Sequence, residues 1–341
     1  MRIGILTGGG DCPGLNPVIR AVVRKAFNDK HETVGFMNGW KGIIDNDTIP
    51  LNLASVSGIL PKGGTILGTS RTNPYKNPQD VKKVIETYKK NNLDALIAIG
   101  GEDTLGVANK LTKEGLNIIG VPKTIDNDLN ATDYTFGFDT AINTAMECID
   151  RLHTTAESHH RIMVVEVIGR HAGWIATFSG IAGGADIVLI PEIPIDLEET
   201  CRTIKKRHDR GKTFSIIVVA EGAKLKQDKD VTQNANLDEF GHVKLGGIGD
   251  YLAREIEKRT GYETRVSVLG HIQRGGSPTA FDRVLGTRFG IKAVELVEHK
   301  QFGQMVSLSG LKVVAVPLEK GVEKLKTVDM ELYEIAKVFF G

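Results

Sequence analysis

Short apolar segments alternate with longer stretches of helical periodicity along most of the chain. The apolar segments are nearly continuous, which is typical of strands buried on both faces of a sheet. Because such strands occur in parallel sheets covered by helices, the pattern predicts an α/β architecture. The predicted strands are Ile3–Leu6, Ala95–Ile99, Ile118–Val121, Ile162–Ile168, Ile187–Ile190, Ser215–Ala220 and Val266–Leu269.

The length of the chain, 341 residues, exceeds that of most single domains and favours two doubly wound α/β sandwiches. The first is predicted to run from residue 1 to about 138, and the second to begin with a helix over Thr140–His153. A polar stretch near 224–247 precedes another helical pattern at Ile248–Arg259. We therefore predict a surface insertion in this stretch.

Composition and charge exclude several classes of protein. Hydrophobic residues make up 41% and charged residues 25%, and the net charge is +1, so no bulk field attracts nucleic acid or a membrane surface. The three cysteines, Cys12, Cys148 and Cys201, are scattered and lack metal-site spacing. The first residues form an apolar strand pattern without signal-peptide features. We expect a reduced cytoplasmic protein that binds neither nucleic acid nor a membrane.

A glycine-rich loop from Thr7 to Gly14 lies between the first predicted strand and a helix. Glycines at this place let backbone N–H groups approach a phosphate, and the helix N-terminus adds positive potential. A tight βα turn without a ligand is the alternative interpretation. The G-x-G-x-x-G dinucleotide pattern is broken by Pro13, and no G-x-x-x-x-G-K-[ST] sequence occurs anywhere.

Acidic residues follow two successive predicted strands. One strand continues into GGEDT (100–104) and the next into PKTIDND (122–128). Ligands of open α/β sheets bind at the carboxyl ends of strands, and carboxylates there can hold Mg²⁺ or accept a proton from an attacking hydroxyl. A single Asp in a loop is more often a turn or cap residue, but two acidic strand ends favour Mg²⁺-polyphosphate chemistry.

Together these motifs resemble the phosphofructokinase family, in the order and spacing of that family. The matching sequences are TGGGDCPGLN (7–16), GGEDT (100–104), PKTIDND (122–128), VVEVIGRHAG (164–173), AEG (220–222) and LGHIQRGG (269–276). The resemblance implies two α/β lobes with the active site between them, assembled as a homo-oligomer, usually a tetramer. It implies the glycolytic, Mg²⁺-dependent transfer of a phosphoryl group to the C1 hydroxyl of fructose 6-phosphate.

The resemblance also assigns roles to individual residues. Asp126 matches the catalytic base, Asp128 assists the base and the metal, and Thr124 lies near the transferred group. Arg170 faces the reaction centre. The residues matching donor contacts are Gly10, Arg71, Gly101, Asp103, Thr104 and Lys123, and those matching metal ligands are Glu102 and Asp103.

The sugar-phosphate site is implied in the same way. Arg161 and Arg265 match arginines that reach over from a neighbouring subunit, and Ile168 replaces a methionine common in the family. The residues that match substrate contacts are Arg161, Ile168, Gly169, Glu221, Arg265, His271 and Arg274. The donor domain is predicted at 1–138 plus approximately 274–305, and the fructose 6-phosphate domain at 139–273 plus approximately 306–341.

Two departures from the family pattern bear on the phosphoryl donor. Family members that use ATP usually have glycine where Asp103 and Lys123 stand. A carboxylate at Asp103 would repel the α-phosphate of ATP, whereas Lys123 would attract a compact diphosphate. We therefore predict pyrophosphate as the donor, with ATP as the alternative. Glu102 replaces the usual aspartate, which lengthens the reach to a metal.

A third departure concerns regulation. The cluster that binds nucleotide effectors in regulated bacterial relatives keeps Arg20, Arg24, Arg210 and Lys212 here. Basic or imidazole groups would be expected at four further positions, which are Leu53, His153, Thr213 and Phe214. Since half of this anion site lacks its charge, we predict weak effector control.

Two alternative functions agree less well with the sequence. A non-catalytic sugar-phosphate-binding subunit would tolerate loss of the base or the metal acids, but Asp126, Asp128 and Arg170 are all present. An NAD-dependent dehydrogenase would need the dinucleotide fingerprint and an acidic ribose partner, and the chain has neither.

Overall fold

The computed structural model describes residues 1–226, 234–237 and 243–341, with side chains at 1–226 and 245–341. The strands in these residues are β1 (Arg2–Thr7), β2 (Glu32–Phe36), β3 (Thr48–Leu51), β4 (Ala95–Gly100), β5 (Ile118–Pro122), β6 (Ile162–Val167), β7 (Ile187–Leu189), β8 (Ser215–Ala220), β9 (Asn234–Leu237), β10 (Val243–Lys244), β11 (Thr264–Val268), β12 (Gln304–Ser309) and β13 (Lys312–Pro317). The helices are α1 (Leu15–Asn28), α2 (Trp40–Asp45), α3 (Pro78–Lys90), α4 (Glu102–Lys113), α5 (Phe138–His159), α6 (Trp174–Ala182), α7 (Leu197–Asp209), α8 (Ile248–Thr260), α9 (Ala280–Glu298), α10 (Leu318–Val322) and α11 (Met330–Lys337). A short 3-10 helix spans Gly270–Arg274.

The chain divides into two compact units. The first contains Met1–Thr140 and Arg274–Leu325, and the second contains Ala141–Gln273 and Lys326–Gly341. The predicted α/β fold class is confirmed, since each unit is built on a sheet of mainly parallel strands. The structure corrects one domain boundary: the last crossing lies at Leu325–Lys326 instead of near residue 305, because β12 and β13 belong to the sheet of the first unit.

The sheet of the first unit has seven strands in the order β13-β12-β5-β4-β1-β2-β3. The five inner strands are parallel, and β3 and β13 pair antiparallel at the two edges. β1 lies between β2 and β4, with Gly4 opposite both Val34 and Leu96. The glycine-rich loop therefore leaves the sheet from a central strand.

Helices cover both faces of this sheet. Leu6, Phe36 and Leu96 point to one face, where they pack with apolar residues of α2, α3, α4 and α10. Strand residues of the opposite parity, such as Ile5 and Ile97, are fully buried on the face that contacts α1 and α9. Burying each such side chain stabilises the fold by about 1.5–3 kcal/mol. Burial on both faces explains why these strands are continuously apolar.

The amino ends of α5 and α9 meet within the first unit. Asp282 Oδ2 accepts hydrogen bonds from the Thr140 backbone N–H at 2.9 Å and from the Thr140 hydroxyl at 2.5 Å. The Thr279 backbone N–H donates to Thr140 Oγ1 at 3.1 Å, and Thr279 caps α9. Asp282 is 0% exposed, and this burial raises the pKa of its carboxyl to about 6. The two helix ends thus cap each other.

The second unit contains a parallel sheet with the strand order β11-β6-β8-β7. Ile162, Val164 and Ile217 of this sheet form a core with apolar residues of α7 and α8. Within the insertion predicted near 224–247, residues 227–233 and 238–242 lie outside the described residues, and Asn234–Leu237 and Val243–Lys244 pair as the antiparallel strands β9 and β10. None of the helices in the described parts of the chain combines the length and the apolar composition needed to cross a bilayer.

Candidate active site

The glycine-rich loop is held in place by backbone hydrogen bonds to neighbouring segments. The Gly8 N–H donates to the Ile99 carbonyl at 2.9 Å, and the Gly9 N–H donates to the Ser70 carbonyl at 3.0 Å. α1 begins directly after Gly14, which has a φ of 112° and caps the helix without a side chain. The first N–H groups of α1 therefore have no side-chain cap, and a helix end of this kind can bind a phosphate.

Two cationic side chains lie against this loop. Lys123 is 3% exposed, and its Nζ donates to the Gly10 carbonyl at 2.5 Å. The Arg274 guanidinium donates to the Asp11 carbonyl at 3.4 Å, and its Nη1 lies 2.6 Å from the place a Cβ would take at Gly10. Arg274, expected as a sugar-phosphate contact, thus lies beside the residue expected to contact the donor. The loop has positive charge in addition to backbone donors.

The end of β4 brings two carboxylates to the first turn of α4. Glu102 is exposed and Asp103 is half-buried, and Gly101 precedes the helix without a side-chain cap. Acidic side chains are stabilised at this end of a helix by its dipole. Thr104 is buried, and its Oγ1 lies 2.5 Å from the place a Cβ would take at Gly8. Thr104 therefore packs against the glycine-rich loop at Gly8.

The loop after β5 holds the predicted base in a fixed position. The Thr124 hydroxyl donates to Asp126 Oδ2 at 3.2 Å and accepts from the Asp126 N–H at 3.0 Å. Asn127 has a positive φ of 51°, and its Oδ1 accepts from the Thr135 N–H at 3.1 Å. Asp126 is 3% exposed and Oδ1 of its carboxylate has no hydrogen-bond partner among the described residues, whereas Asp128 is buried nearby in the chain.

An unpartnered buried carboxylate oxygen costs free energy in the protein alone, since buried polar atoms are normally hydrogen-bonded. Asp126 Oδ1 can therefore accept a proton or a hydrogen bond from a bound group. Oxygen ligands from Asp and Glu also suit a hard cation such as Mg²⁺. Among the described residues, no three His, Cys, Asp or Glu side chains form a metal-binding group. Mg²⁺ in phosphoryl-transfer sites commonly keeps waters and substrate phosphates as ligands, so Glu102 and Asp103 fit such an ion.

Arg71 lies on the loop that contacts the glycine-rich loop from the other side. It is exposed and follows Ser70, whose carbonyl accepts from the Gly9 N–H. The preceding Thr69 hydroxyl donates to the Gly9 carbonyl at 2.5 Å. The predicted donor residues Gly10, Arg71 and Lys123 therefore belong to connected segments of the first unit.

The buried thiol of Cys12 lies within the same loop. Its Sγ donates to the Phe136 carbonyl at 3.7 Å and lies 2.6 Å from the place a Cβ would take at Gly137. Burial raises the pKa of the Cys12 thiol to about 12, against the smaller opposing effect of the Lys123 charge. Cys12 is therefore a packed thiol that burial keeps in its protonated form.

In the second unit, Glu221 organises the turn after β6. Its Oε1 accepts from the Arg170 N–H at 3.1 Å and from the Gly169 N–H at 3.4 Å, near the upper limit for a hydrogen bond. Arg170 has a positive φ of 50°, an uncommon conformation for a residue with a side chain. A Cβ at Gly222 would lie 1.7 Å from the Arg170 carbonyl oxygen, so only glycine allows this approach.

His271 and Ile168 both follow the carboxyl ends of neighbouring strands, β11 and β6. The 3-10 helix Gly270–Arg274 follows β11 and exposes His271. Gln273 of this helix is buried, and its Oε1 accepts from the Ile168 N–H at 2.9 Å. The sequence did not single out Gln273, because the partner of its side chain, Ile168, lies 105 residues away in the chain.

Arg161 and Arg265 lie at the amino ends of β6 and β11. Both guanidinium groups contact Glu263 Oε1, Arg161 at 2.9 Å and Arg265 at 2.5 Å. Hydrogen bonding to Arg161 lowers the pKa of the Glu263 carboxyl. Arg161 directly precedes β6 and Arg265 is the second residue of β11, whereas the residues predicted to bind the sugar phosphate follow the carboxyl ends of β6, β8 and β11. A six-residue strand separates the two groups by about 20 Å.

The residues aligned with the effector cluster form contacts of their own. The His153 and Phe214 rings meet edge to face with centroids 5.9 Å apart. The Arg210 guanidinium donates to the Gly341 carbonyl at 2.6 Å. Phe214 thus contributes no charge to this set of positions, and the Arg210 guanidinium is bound to a carbonyl.

A glycine-rich loop at a helix N-terminus and two acidic strand ends, all on the first of two α/β units, are features typical of phosphotransferases. The sequence pattern of one family, Phosphofructokinase, matches residues 2–297, and the chain therefore belongs to the phosphofructokinase family.

Individual relatives differ in the donor that their names state. The chain is 58% identical over 343 residues to a pyrophosphate–fructose 6-phosphate 1-phosphotransferase of Amycolatopsis methanolica, with 100% of both chains covered. It is 52% identical over 343 residues to an ATP-dependent 6-phosphofructokinase of Mycobacterium tuberculosis, again with 100% of both chains covered. The crystal structure of a pyrophosphate-dependent phosphofructokinase from Nitrosospira multiformis matches 96% of this chain and 86% of its own with a TM-score of 0.85. That structure is 22% identical in sequence and supports the fold alone.

Proposed function

We propose that the chain transfers a phosphoryl group from pyrophosphate to the C1 hydroxyl of fructose 6-phosphate, giving fructose 1,6-bisphosphate. The observation that carries the reaction is Asp126, a buried carboxylate oriented by Thr124 with one oxygen unpartnered among the described residues. A base in such a position can take the hydroxyl proton as the oxygen attacks phosphorus.

The reaction divides among the residues as follows. Asp126 Oδ1 takes the proton of the C1 hydroxyl, the C1 oxygen bonds to phosphorus, and the bridging P–O bond of pyrophosphate breaks to release phosphate. The Thr124 hydroxyl fixes the other carboxylate oxygen. Arg71 and Arg170 supply fixed positive charge for the group in transfer. Asp128 assists the base.

Mg²⁺, when bound, neutralises charge on the donor oxygens and orients them for transfer. Glu102 and Asp103 would hold the ion or its waters from the first turn of α4. Gly101 leaves this helix end open to a phosphate.

Pyrophosphate is favoured as the donor by two charges. The buried Lys123 ammonium lies on the glycine-rich loop at Gly10, where a compact diphosphate concentrates its charge. Asp103 places a carboxylate in the first turn of α4, where the α-phosphate of ATP would be expected. Two like charges 4 Å apart repel by about 4 kcal/mol at an effective dielectric constant of about 20. The name of the Amycolatopsis relative agrees with this donor.

ATP is the second candidate donor, because the Mycobacterium relative carries an ATP-dependent name and spans the same length. The two candidates share the acceptor and the base. They differ in whether Asp103 faces the donor or serves the metal and the helix end.

The sugar phosphate is assigned to Ile168, Gly169, Glu221, His271 and Arg274 of one chain. Arg161 and Arg265 lie at the amino ends of strands of the same sheet, about 20 Å away by strand length. We propose that these two arginines serve the site of a neighbouring subunit, in a homo-oligomer that is a tetramer. Release from Glu263 would let their guanidinium groups bind a phosphate dianion.

The donor assignment is tested with the purified chain, fructose 6-phosphate and Mg²⁺, supplied with pyrophosphate or with ATP. The unmodified enzyme should use pyrophosphate in preference to ATP. Asp103→Gly should improve the use of ATP, and Lys123→Gly should weaken the use of pyrophosphate. A partly exposed acid of α3 provides the control, since Asp80→Gly should change neither. Efficient turnover of ATP with none of pyrophosphate would refute the donor and leave the kinase.

A further inference from the structure

Three consecutive backbone N–H groups beyond the end of β6 are bound by side chains. Ile168 donates to Gln273 Oε1 at 2.9 Å, and Gly169 and Arg170 donate to Glu221 Oε1 at 3.4 Å and 3.1 Å. β6 itself ends at Val167, so these groups lie past the last strand residue. Their acceptors come from two segments distant in sequence.

The two acceptors extend the hydrogen bonding of the sheet. β6 lies between β11 and β8. Gln273 belongs to the 3-10 helix that follows β11, and Glu221 is the first residue after β8. Backbone pairing reaches one residue past β8 and β11, where the Glu221 N–H donates to the Val167 carbonyl and the Leu269 N–H to the Glu166 carbonyl. Beyond that point, side-chain oxygens of the segments that follow the two neighbouring strands bind the N–H groups of the β6 turn.

Gln273 makes this contact under a constraint. It is 0% exposed, and its Nε2 has no hydrogen-bond partner in the described part of the chain. A buried amide that satisfies one of its polar atoms is a poor device for stability alone. The oxygen that is used fixes Ile168, and the same short helix carries His271.

We propose that Gln273 is a positioning residue for sugar-phosphate binding. Its side-chain oxygen ties the helix that carries His271 to the turn that carries Ile168, Gly169 and Arg170, so the two segments keep one relative position. The proposal rests on the proposed function, because it assigns the two tied segments to the sugar phosphate. Gln273 acts through these neighbours and touches no reacting atom.

Three variants separate positioning from stability. Gln273→Met keeps the volume and removes the acceptor, whereas Gln273→Glu keeps an oxygen that can accept from the Ile168 N–H. Gln79→Met makes the same change at an exposed residue of α3 and serves as the control. Steady-state kinetics on the full-length enzyme give kcat and the KM of each substrate, and hydrogen exchange followed by mass spectrometry reports on residues 168–170 without substrate.

Gln273→Met should raise the KM for fructose 6-phosphate by about tenfold to a hundredfold, since displacement of binding groups by an ångström has effects of this order. The KM for the donor should stay unchanged, Gln273→Glu should restore the KM for fructose 6-phosphate, and exchange at 168–170 should accelerate only in Gln273→Met. Should Gln273→Met fail to fold, Gln273→Asn, whose shorter side chain withdraws the oxygen, replaces it with the same expectations.

An unchanged KM for fructose 6-phosphate in the variant without the acceptor would overturn the proposal, as would equal losses for both substrates. Unchanged exchange at 168–170 would also overturn it. A separate result tests the proposed function: if the unmodified chain turns over fructose 6-phosphate with neither donor, that function is refuted, whereas the exchange measurement still decides whether Gln273 holds the turn.

Discussion

Replacing Asp126 by asparagine isolates the basicity of one oxygen from the shape of the site. Asparagine has the size of aspartate, and its amide oxygen can accept the Thr124 hydroxyl that now donates to Oδ2 at 3.2 Å. The amide nitrogen then takes the place of Oδ1, the oxygen without a partner among the described residues. A proton acceptor becomes a donor, and the backbone contact from Asp126 N–H to Thr124 is kept.

The expected loss follows from the role of a positioned base. General-base catalysis contributes about 10²–10⁴-fold, which corresponds to about 2.7–5.4 kcal/mol of activation free energy at 1.36 kcal/mol per tenfold. Stability should change little or rise, because the variant removes a buried charge whose carboxylate accepts a side-chain hydrogen bond on only one oxygen among the described residues. Asp126→Asn should therefore lower kcat by at least a hundredfold while the affinity for fructose 6-phosphate stays within the same order.

The assay measures fructose 1,6-bisphosphate formation with the preferred donor, and calorimetry measures binding of fructose 6-phosphate to the same protein. Asp80→Asn is the matched control, since Asp80 lies on α3 and pairs with Lys83 at the surface. A kcat within tenfold of the unmodified enzyme would remove Asp126 from the role of base. A parallel loss of sugar-phosphate affinity would indicate that the carboxylate binds the sugar instead.

Three further predictions follow from features of the two units. Hybrid oligomers of Arg265→Ala and Asp126→Asn subunits should recover activity that neither variant has alone; subunits that exchange without recovery would place each site within one chain. Saturation with fructose 6-phosphate should be nearly hyperbolic and insensitive to ADP or phosphoenolpyruvate, because Leu53, Thr213 and Phe214 carry no charge at positions expected to be basic; a sigmoidal curve relieved by ADP would contradict this. Burial raises the pKa of Asp282 to about 6, so its ionisation opposes folding increasingly from about pH 4 to pH 6 and fully above that. Asp282→Asn should therefore gain about 3 kcal/mol of unfolding free energy relative to the unmodified protein between about pH 4 and pH 8, as measured by denaturant unfolding, and a pH-independent difference would refute the assignment.

β1, β4, β5, β6 and β8 could be predicted from sequence, because burial on both faces leaves a continuous apolar pattern. β2, β3 and the β12–β13 hairpin were not predicted. β3 has four residues, including Pro50, and lies at an edge of its sheet. The hairpin also lies at an edge: β12 mixes polar residues such as Ser307 with apolar ones, and the apolar run of β13 is only half-buried. The missed hairpin explains the misplaced last domain crossing.

Individual candidate residues, such as Asp126 and Glu221, could be selected from the sequence because each belongs to a recognisable motif. Contacts between distant segments were not predictable from motifs. The bond between Gln273 and Ile168 joins residues 105 positions apart, and the shared contact of Arg161 and Arg265 with Glu263 depends on strand pairing. A residue type without charge, such as glutamine, gives no signal in sequence that its amide oxygen will be needed elsewhere.

The thiol of Cys12 offers a way to time the opening of the glycine-rich loop. Thiol reagents attack the thiolate, and Cys12 is both buried and held protonated, with its pKa raised to about 12 by burial. Alkylation of Cys12 must therefore wait for the loop to separate from Phe136 and Gly137, whereas half-exposed Cys148 can react earlier. Because Cys201 is buried as well, labelling of Cys12 is followed separately by peptide mass spectrometry. The labelling rate of Cys12 reports the population of the open loop, and a donor that binds the closed loop should lower this rate as its occupancy rises.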